Sequence, residues 1–180
     1  MSLICISEEW TAVVPLAHEP LFVSPDESLA SPLLACLGLQ KKRYVLGVAQ
    51  HHPRKNTAVI LDAWARLQGG GAVSGLVLLF VGSAKACRQI EQLAKRVGVF
   101  ESVRSVRADD RESAALSAVA TMLVYVPFYD GFGIPVLEAM PAGCLVATSR
   151  RVHCQRWGVR RSFMWTHETA RALRMRCLQC

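Results

Sequence analysis

Asp130 and Glu138 are two carboxylates eight positions apart, and the residues between them decide what the pair could do. The intervening run is Gly131-Phe132-Gly133-Ile134-Pro135-Val136-Leu137. Gly-aromatic-Gly reads as a tight turn. Ile134-Pro135 reads as a helix start, because the N–H that proline lacks costs nothing in the first turn. The apolar run from Met122 to Val126, just upstream, reads as a buried strand. Strand, glycine loop and helix N-terminus in that order aim backbone N–H groups and the positive helix end at a ligand, which suits phosphate. Asp130 then stands in the loop, and Glu138 about one turn inside the helix. A site of that shape suits the phosphate, sugar and ribose of one nucleotide-sugar.

The elements that must hold this loop alternate along the chain. Ser24-Pro25-Asp26-Glu27 forms a capping box with proline at the first helical position, predicting a helix to about Cys36. Tyr44 to Val48 is an apolar strand, Gln50 to Lys55 the loop after it, and Asn56 the cap of a helix. Ile60, Leu61, Trp64 and Leu67 form that helix's apolar face. Gly69-Gly70-Gly71 and Ser74-Gly75 make a flexible turn before a second strand, Leu76 to Val81. A helix from Lys85 to Val97 stops at Gly98, a suitable residue just past a helix end. Val103 to Val106 is a short strand, and Asp109-Asp110 start a helix through Val119. The helix after Asp130 ends at Ala142-Gly143, and Leu145 to Thr148 is expected as the last strand. Strands and helices in alternation predict an α/β domain: a Rossmann-like parallel sheet with helices on both faces.

Composition narrows the classes. A chain of 180 residues holds one domain with a sizeable core. No run of eighteen apolar residues is present, and Ser7-Glu8-Glu9 interrupts any secretory pattern, so a cytoplasmic location is expected. The net charge of +7 suggests nucleic acid until it is mapped. Residues 1–149 carry 13 basic and 13 acidic side chains, whereas residues 150–180 carry 8 Arg, no Lys and only Glu168 as an acid. A basic tail could be an arm for RNA or membrane. This one holds Trp157, Trp165 and three of the seven cysteines, and lacks helical or strand periodicity over most of its length. His153-Cys154 with Cys177-x-x-Cys180 is a poor zinc pattern, and the odd cysteine count argues against a disulfide framework. No metal and no nucleic-acid partner is expected.

The run YDGFGIPVLEAMPAG resembles the E-x7-E signature of retaining GT-B glycosyltransferases of family 4. RYVLGVAQHHPRKN, Arg43 to Asn56, resembles that family's first donor-domain strand and basic loop, and Val77 to Gly82 its second strand. The resemblance covers roughly residues 11 to 149. It implies the C-terminal half of a GT-B fold, in which Glu138 accepts hydrogen bonds from the donor's ribose hydroxyls; an ionised carboxylate suits this because it only accepts. It places Asp130 beside the transferred sugar, as the catalytic residue that steadies developing positive charge or orients hydroxyls. The family has glutamate there. Aspartate is one methylene shorter, and an Asp-Gly pair is also an ordinary turn, so both readings stand. Arg54 and Lys55 are assigned to the diphosphate, whose leaving group gains negative charge. Gly131, Gly133 and Ile134 offer close backbone approach. Gly82 either faces the nucleobase or merely turns the chain, and His51 and His52 read as loop surface. The resemblance implies no metal and no cofactor beyond the nucleotide-sugar donor.

After Ser149 the family pattern stops. Reading from the third base of the His153 codon restores it: one permitted codon choice gives LPEVGGEAELYVDP. His153-Cys154 forces Leu, Trp157-Gly158 forces Gly, and Met164-Trp165-Thr166 forces Val-Asp in the family's order. Residues 1–20 are therefore expected to be an interdomain remnant and 21–149 the nucleotide-sugar-binding domain. Residues 150–180 are expected to be an aberrant tail, disordered or poorly packed. The intact relative is expected to transfer a hexosyl group, with retention, to a glycan or lipid-linked acceptor bound by a missing N-terminal domain. Peripheral membrane association of that relative is compatible with this. This chain alone is expected to be inactive; a non-catalytic nucleotide-sugar-binding or partner-binding fragment is the alternative.

Overall fold

A computed structural model describes residues 18–50 and 52–149, together with the backbone of a strand at 162–165. Among these residues six strands form one sheet: β1 (Tyr44–Ala49), β2 (Val77–Gly82), β3 (Val103–Val106), β4 (Met122–Tyr125), β5 (Val146–Ser149) and β6 (Ser162–Trp165). Their order is β3-β2-β1-β4-β5-β6, and every pairing is parallel. Among the described residues five α-helices accompany them: α1 (Ala30–Cys36), α2 (Thr57–Gly69), α3 (Ala84–Val97), α4 (Asp110–Ala118) and α5 (Ile134–Ala139). This is a Rossmann-like arrangement. The chain reverses direction across the sheet between β1 and β4, and such switch points leave a crevice outside the strand ends.

The alternation of side chains along each strand builds two cores, one per face. Tyr44, Leu46, Leu79, Leu123, Tyr125 and Val146 pack on one face with α1, α4 and α5. Val45, Leu78, Phe80, Val124 and Ala147 pack on the other with α2 and α3. Tyr44 is fully buried, and its hydroxyl donates to the Leu116 carbonyl at 2.5 Å, so its polar end is satisfied. Ser83 caps α3 by accepting from the Ala86 N–H, and Gly98 leaves that helix at φ 82°. Asp109 and Glu112 form a reciprocal capping box on α4, both bonds at 2.8 Å. Among the described residues no helix is long and apolar enough to cross a membrane.

Two expectations change. The first helix does not begin at Pro25: Asp26 caps a 3-10 turn, Glu27–Leu29, by accepting from the Ser28 N–H, and α1 follows. The cap is thus Asp26 rather than the Ser24 of the capping-box reading, and the helical segment starts two residues later. β5 is also not the last strand, because Ser162–Trp165 of the basic tail pair with it as β6. The rest of that tail, residues 1–17 and His51 lie outside the described residues.

Gly82 ends β2 for a steric reason. A Cβ there would lie 2.3 Å from the Ala49 carbonyl oxygen and 2.8 Å from the Ala49 Cβ, both on the neighbouring strand. Neither atom belongs to a flexible side-chain end, so β1 and β2 would have to part at the crevice. Gly82→Ala is expected to cost about 1–3 kcal/mol, as overpacked positions do, measured as a drop in unfolding free energy in urea. An unchanged midpoint would show that the strand ends yield freely.

Candidate functional site

The crevice at the C-terminal ends of β1 and β4 is a cleft of about 920 Å³. Its floor is the end of β1 from Leu46 to Gln50, and Arg54, Lys55, Asp130, Ile134 and Glu138 stand around it. Gly82, Ser83, Arg107, Asp110 and Ser113 complete the wall toward β2 and α4. A second, apolar gap of about 40 Å³ lies between α2 and the other sheet face, lined by Val45, Trp64 and Met122 among others. It offers no polar chemistry.

The two loops that carry the charged groups are stitched together. After β1 the chain makes a 3-10 turn at Pro53–Lys55, with the Arg54 N–H donating to His52 Nδ1 at 3.2 Å. The Phe128 N–H donates to the Arg54 carbonyl at 2.8 Å, and Asn56 Nδ2 donates to the Val126 carbonyl at 2.9 Å. Asn56 holds φ 59°, a left-handed conformation that asparagine tolerates better than most residues. It occupies the position before α2 as expected, but its side chain does not cap the helix. It ties the β1 loop to the end of β4 instead. Asn56→Asp keeps the backbone preference, removes the amide donors and sets a carboxylate against a carbonyl. The expected cost is about 1–3 kcal/mol in denaturant unfolding. Asn56→Asp matching the parent would mean that the cross-link carries no weight.

Lys55 is thereby delivered into the interior beneath the cleft. Its ammonium donates to Asp130 Oδ2 at 2.9 Å, with the two side chains only 8% and 13% exposed. It also donates to the hydroxyl of Tyr125, which in turn donates to the same Asp130 oxygen. The Phe132 backbone N–H adds a further bond to the carboxylate. Burial pushes the Asp130 carboxyl up, but the bonds from Tyr125 and Lys55 and the lysine's charge outweigh it. The net result lies below the ordinary value. Tyr125 is pushed in the other direction, by burial first and then by its bond to Asp130 and that residue's charge. It keeps its proton throughout the physiological range.

Glu138 sits in a different environment. It is half-buried, faces the cleft from α5, and receives no hydrogen bond from the described residues. Burial is the main cause of a carboxyl pKa pushed up to about 7, with the charges of Asp110 and Glu19 adding to it. Near neutral pH this carboxyl is therefore divided between its protonated and ionised forms, with no bond from the described residues to hold the charge.

The cleft thus brings together Arg54, Lys55, Asp130, Ile134 and Glu138. Arg54 is exposed, whereas Lys55 is buried, so the adjacent basic residues do different things. Gly133 is needed for its turn, at φ 80° before α5. Gly131 is exposed, has no positive φ, and a Cβ there would meet nothing within 4 Å. Neither glycine is part of the cleft wall. The helix start also offers fewer N–H groups than the spacing suggested: Pro135 has none, and Val136 and Leu137 already donate to the Gly133 carbonyl. Sequence reasoning missed Tyr125, which looked like one more apolar strand residue. The available signal was that a buried tyrosine hydroxyl needs a partner.

Sheet order, crevice and paired loops define a Rossmann-like domain of the GT-B glycosyltransferase type. WaaG, a glycosyltransferase involved in lipopolysaccharide biosynthesis, superposes with a TM-score of 0.74 at 20% identity, covering 93% of this chain and 46% of that one. HepE from Anabaena, solved in complex with UDP and glucose, gives a TM-score of 0.75 at 20% identity over 96% of this chain and 48% of its own. The chain belongs to the family described as Glycosyl transferases group 1, whose model matches residues 37–156. Among curated relatives, O-antigen chain mannosyltransferase B of Escherichia coli is 33% identical over 128 residues, covering 70% of this chain and 33% of that protein. MMP alpha-(1->4)-mannosyltransferase of Mycolicibacterium hassiacum is 29% identical over 146 residues, covering 81% and 32%. The chain therefore spans about a third of the length of these relatives.

Proposed function

We propose that residues 21–149 form the donor-binding half of a retaining glycosyltransferase of family 4, taking a nucleoside-diphosphate hexose. The observation that carries this is the convergence, around one cleft at the β1/β4 switch point, of a buried lysine, an exposed arginine and a carboxylate unpartnered among the described residues. Arg54 and Lys55 supply positive charge for the diphosphate, whose leaving oxygen gains negative charge as the glycosidic bond breaks. Glu138 accepts from the ribose hydroxyls. The leaving phosphate and the acceptor meet on one face of the sugar, which gives retention. The two basic residues neutralise the diphosphate without a metal, so donor affinity should be indifferent to EDTA. Both curated relatives described above are mannosyltransferases, which makes mannosyl the first sugar to try. Calorimetry with UDP- and GDP-hexoses tests the reading, and heat that survives in Glu138→Ala would reject this cleft as the site.

Transfer itself is proposed for a longer protein, since the relatives run to about three times the matched length. Glycosyl transfer by the purified 180-residue chain would overturn that. The segment after Ser149 is proposed to be read out of frame. In support, β6 spans Ser162–Trp165, and one permitted codon choice reads Leu-Tyr-Val-Asp from Ser162 through Thr166 in the shifted frame, of which Val-Asp is forced. Sequencing the coding DNA decides it, since an intact gene there lacks a continuing LPEV frame.

A further inference from the structure

Of the three groups that meet beneath the cleft, only two form part of its wall. Lys55 and Asp130 do; Tyr125, 2% exposed on the last residue of β4, does not. Its hydroxyl nevertheless accepts from the Lys55 ammonium and donates to Asp130 Oδ2. The ammonium also stands 5.1 Å from the centre of the Tyr125 ring. Lys55 itself comes from a loop, on a four-carbon stem with many rotamers, whereas Tyr125 is fixed in a strand paired on both sides through β4. The phenol is therefore the rigid point against which a flexible cation is set. Because its own proton stays in place at physiological pH, it donates steadily to Asp130 and accepts steadily from Lys55.

We propose that Tyr125 is a positioning residue for the diphosphate: without touching the ligand, its hydroxyl holds Lys55 where a second phosphate group can share it. The inference rests on the donor-site reading above and deepens it, because it names the group that tunes diphosphate against monophosphate recognition. Tyr125→Phe isolates the effect. The ring keeps its place in the core and its contact with the ammonium, and only the hydroxyl goes. Lys55 then keeps Asp130 as its one fixed partner and can swing about its stem.

The test is calorimetric titration of the wild-type chain and Y125F with UDP, UMP, GDP and GMP. The quantity read is the ratio of diphosphate to monophosphate affinity, which a merely structural weakening of the fold does not move. The ratio should fall about tenfold in Y125F while monophosphate affinity stays within about twofold, and Lys55→Met should collapse the ratio with no further loss in the double variant. An unchanged ratio in Y125F, or equal loss for both ligand types, overturns the positioning role while leaving the donor site standing. A wild-type chain that binds no nucleotide, or shows no preference for the diphosphate, sinks the donor-site reading and this inference with it. Tyr125→Met, which also removes the hydroxyl from an apolar filling, is read in the same way if Y125F does not fold.

Discussion

Lys55→Met is expected to weaken nucleoside-diphosphate binding to the level of the monophosphate and to destabilise the domain by about 3–5 kcal/mol at neutral pH. Methionine can follow the lysine stem, so the loss is not one of volume. What it leaves behind is the Asp130 carboxylate, only 13% exposed and deprived of its counter-ion. A buried charge without a partner is among the costliest defects a fold can carry. The pH dependence has a definite sign. Asp130 is held below its ordinary value of 3.8, so the stability it contributes is present above that value and is lost as pH falls through the lower, native one. The gap between parent and K55M should therefore be widest at neutral pH and narrow in acid, where the orphaned carboxyl takes a proton. Adding Asp130→Asn to K55M should restore much of the stability but none of the binding. Equal stability of parent and K55M across this range in denaturant titrations would mean that the pair contributes nothing to the fold.

Glu138→Gln is expected to move binding and stability in opposite directions. Hydrogen bonds from ribose hydroxyls to a charged carboxylate are each worth about 1.5–3 kcal/mol, so losing the charge should weaken donor binding roughly tenfold to a hundredfold. In the parent, affinity should climb with pH until the carboxyl, with its pKa near 7, is ionised, and then level off. In E138Q that slope should vanish. For folding the sign reverses. A carboxyl raised from 4.5 to about 7 binds its proton more tightly in the native state. Its stabilising share is complete below the ordinary value and disappears as pH rises through 7. The neutral amide carries no such liability, so E138Q should unfold at a higher temperature than the parent at pH 8. A pH-independent parent affinity would remove Glu138 from the ligand's reach.

Much of this domain is legible because its elements are periodic and locally capped. β3 runs over Val103–Val106 as its apolar pattern requires, and the Asp109–Glu112 box starts α4. The crevice is equally legible, since alternation of strand and helix implies a parallel sheet and a switch point. What does not show in the sequence is anything that acts between distant loops. Lys55 and Asp130 are 75 positions apart, Asn56 and Val126 70, and no spacing rule links them. Asn56 illustrates the competition: its type suits a helix cap, but the nearby end of β4 offered its amide a carbonyl, and the left-handed backbone turned it there. The basic pair at 54–55 misleads in a similar way. Adjacent side chains leave a tight turn in different directions, so one is buried and its neighbour exposed.

On the proposed donor-site reading, the resident aspartate also bears on product release. A lysine that must let go of a product diphosphate faces the full loss of that contact if nothing takes its place. Here Asp130 already touches the ammonium at 2.9 Å, so a replacement anion is built into the cleft wall and needs no diffusion to arrive. On the donor-site reading this tethered rival should lower affinity for the nucleotide and, where association is unchanged, hasten departure to match. A site arranged in this way gives up tightness for a short residence time.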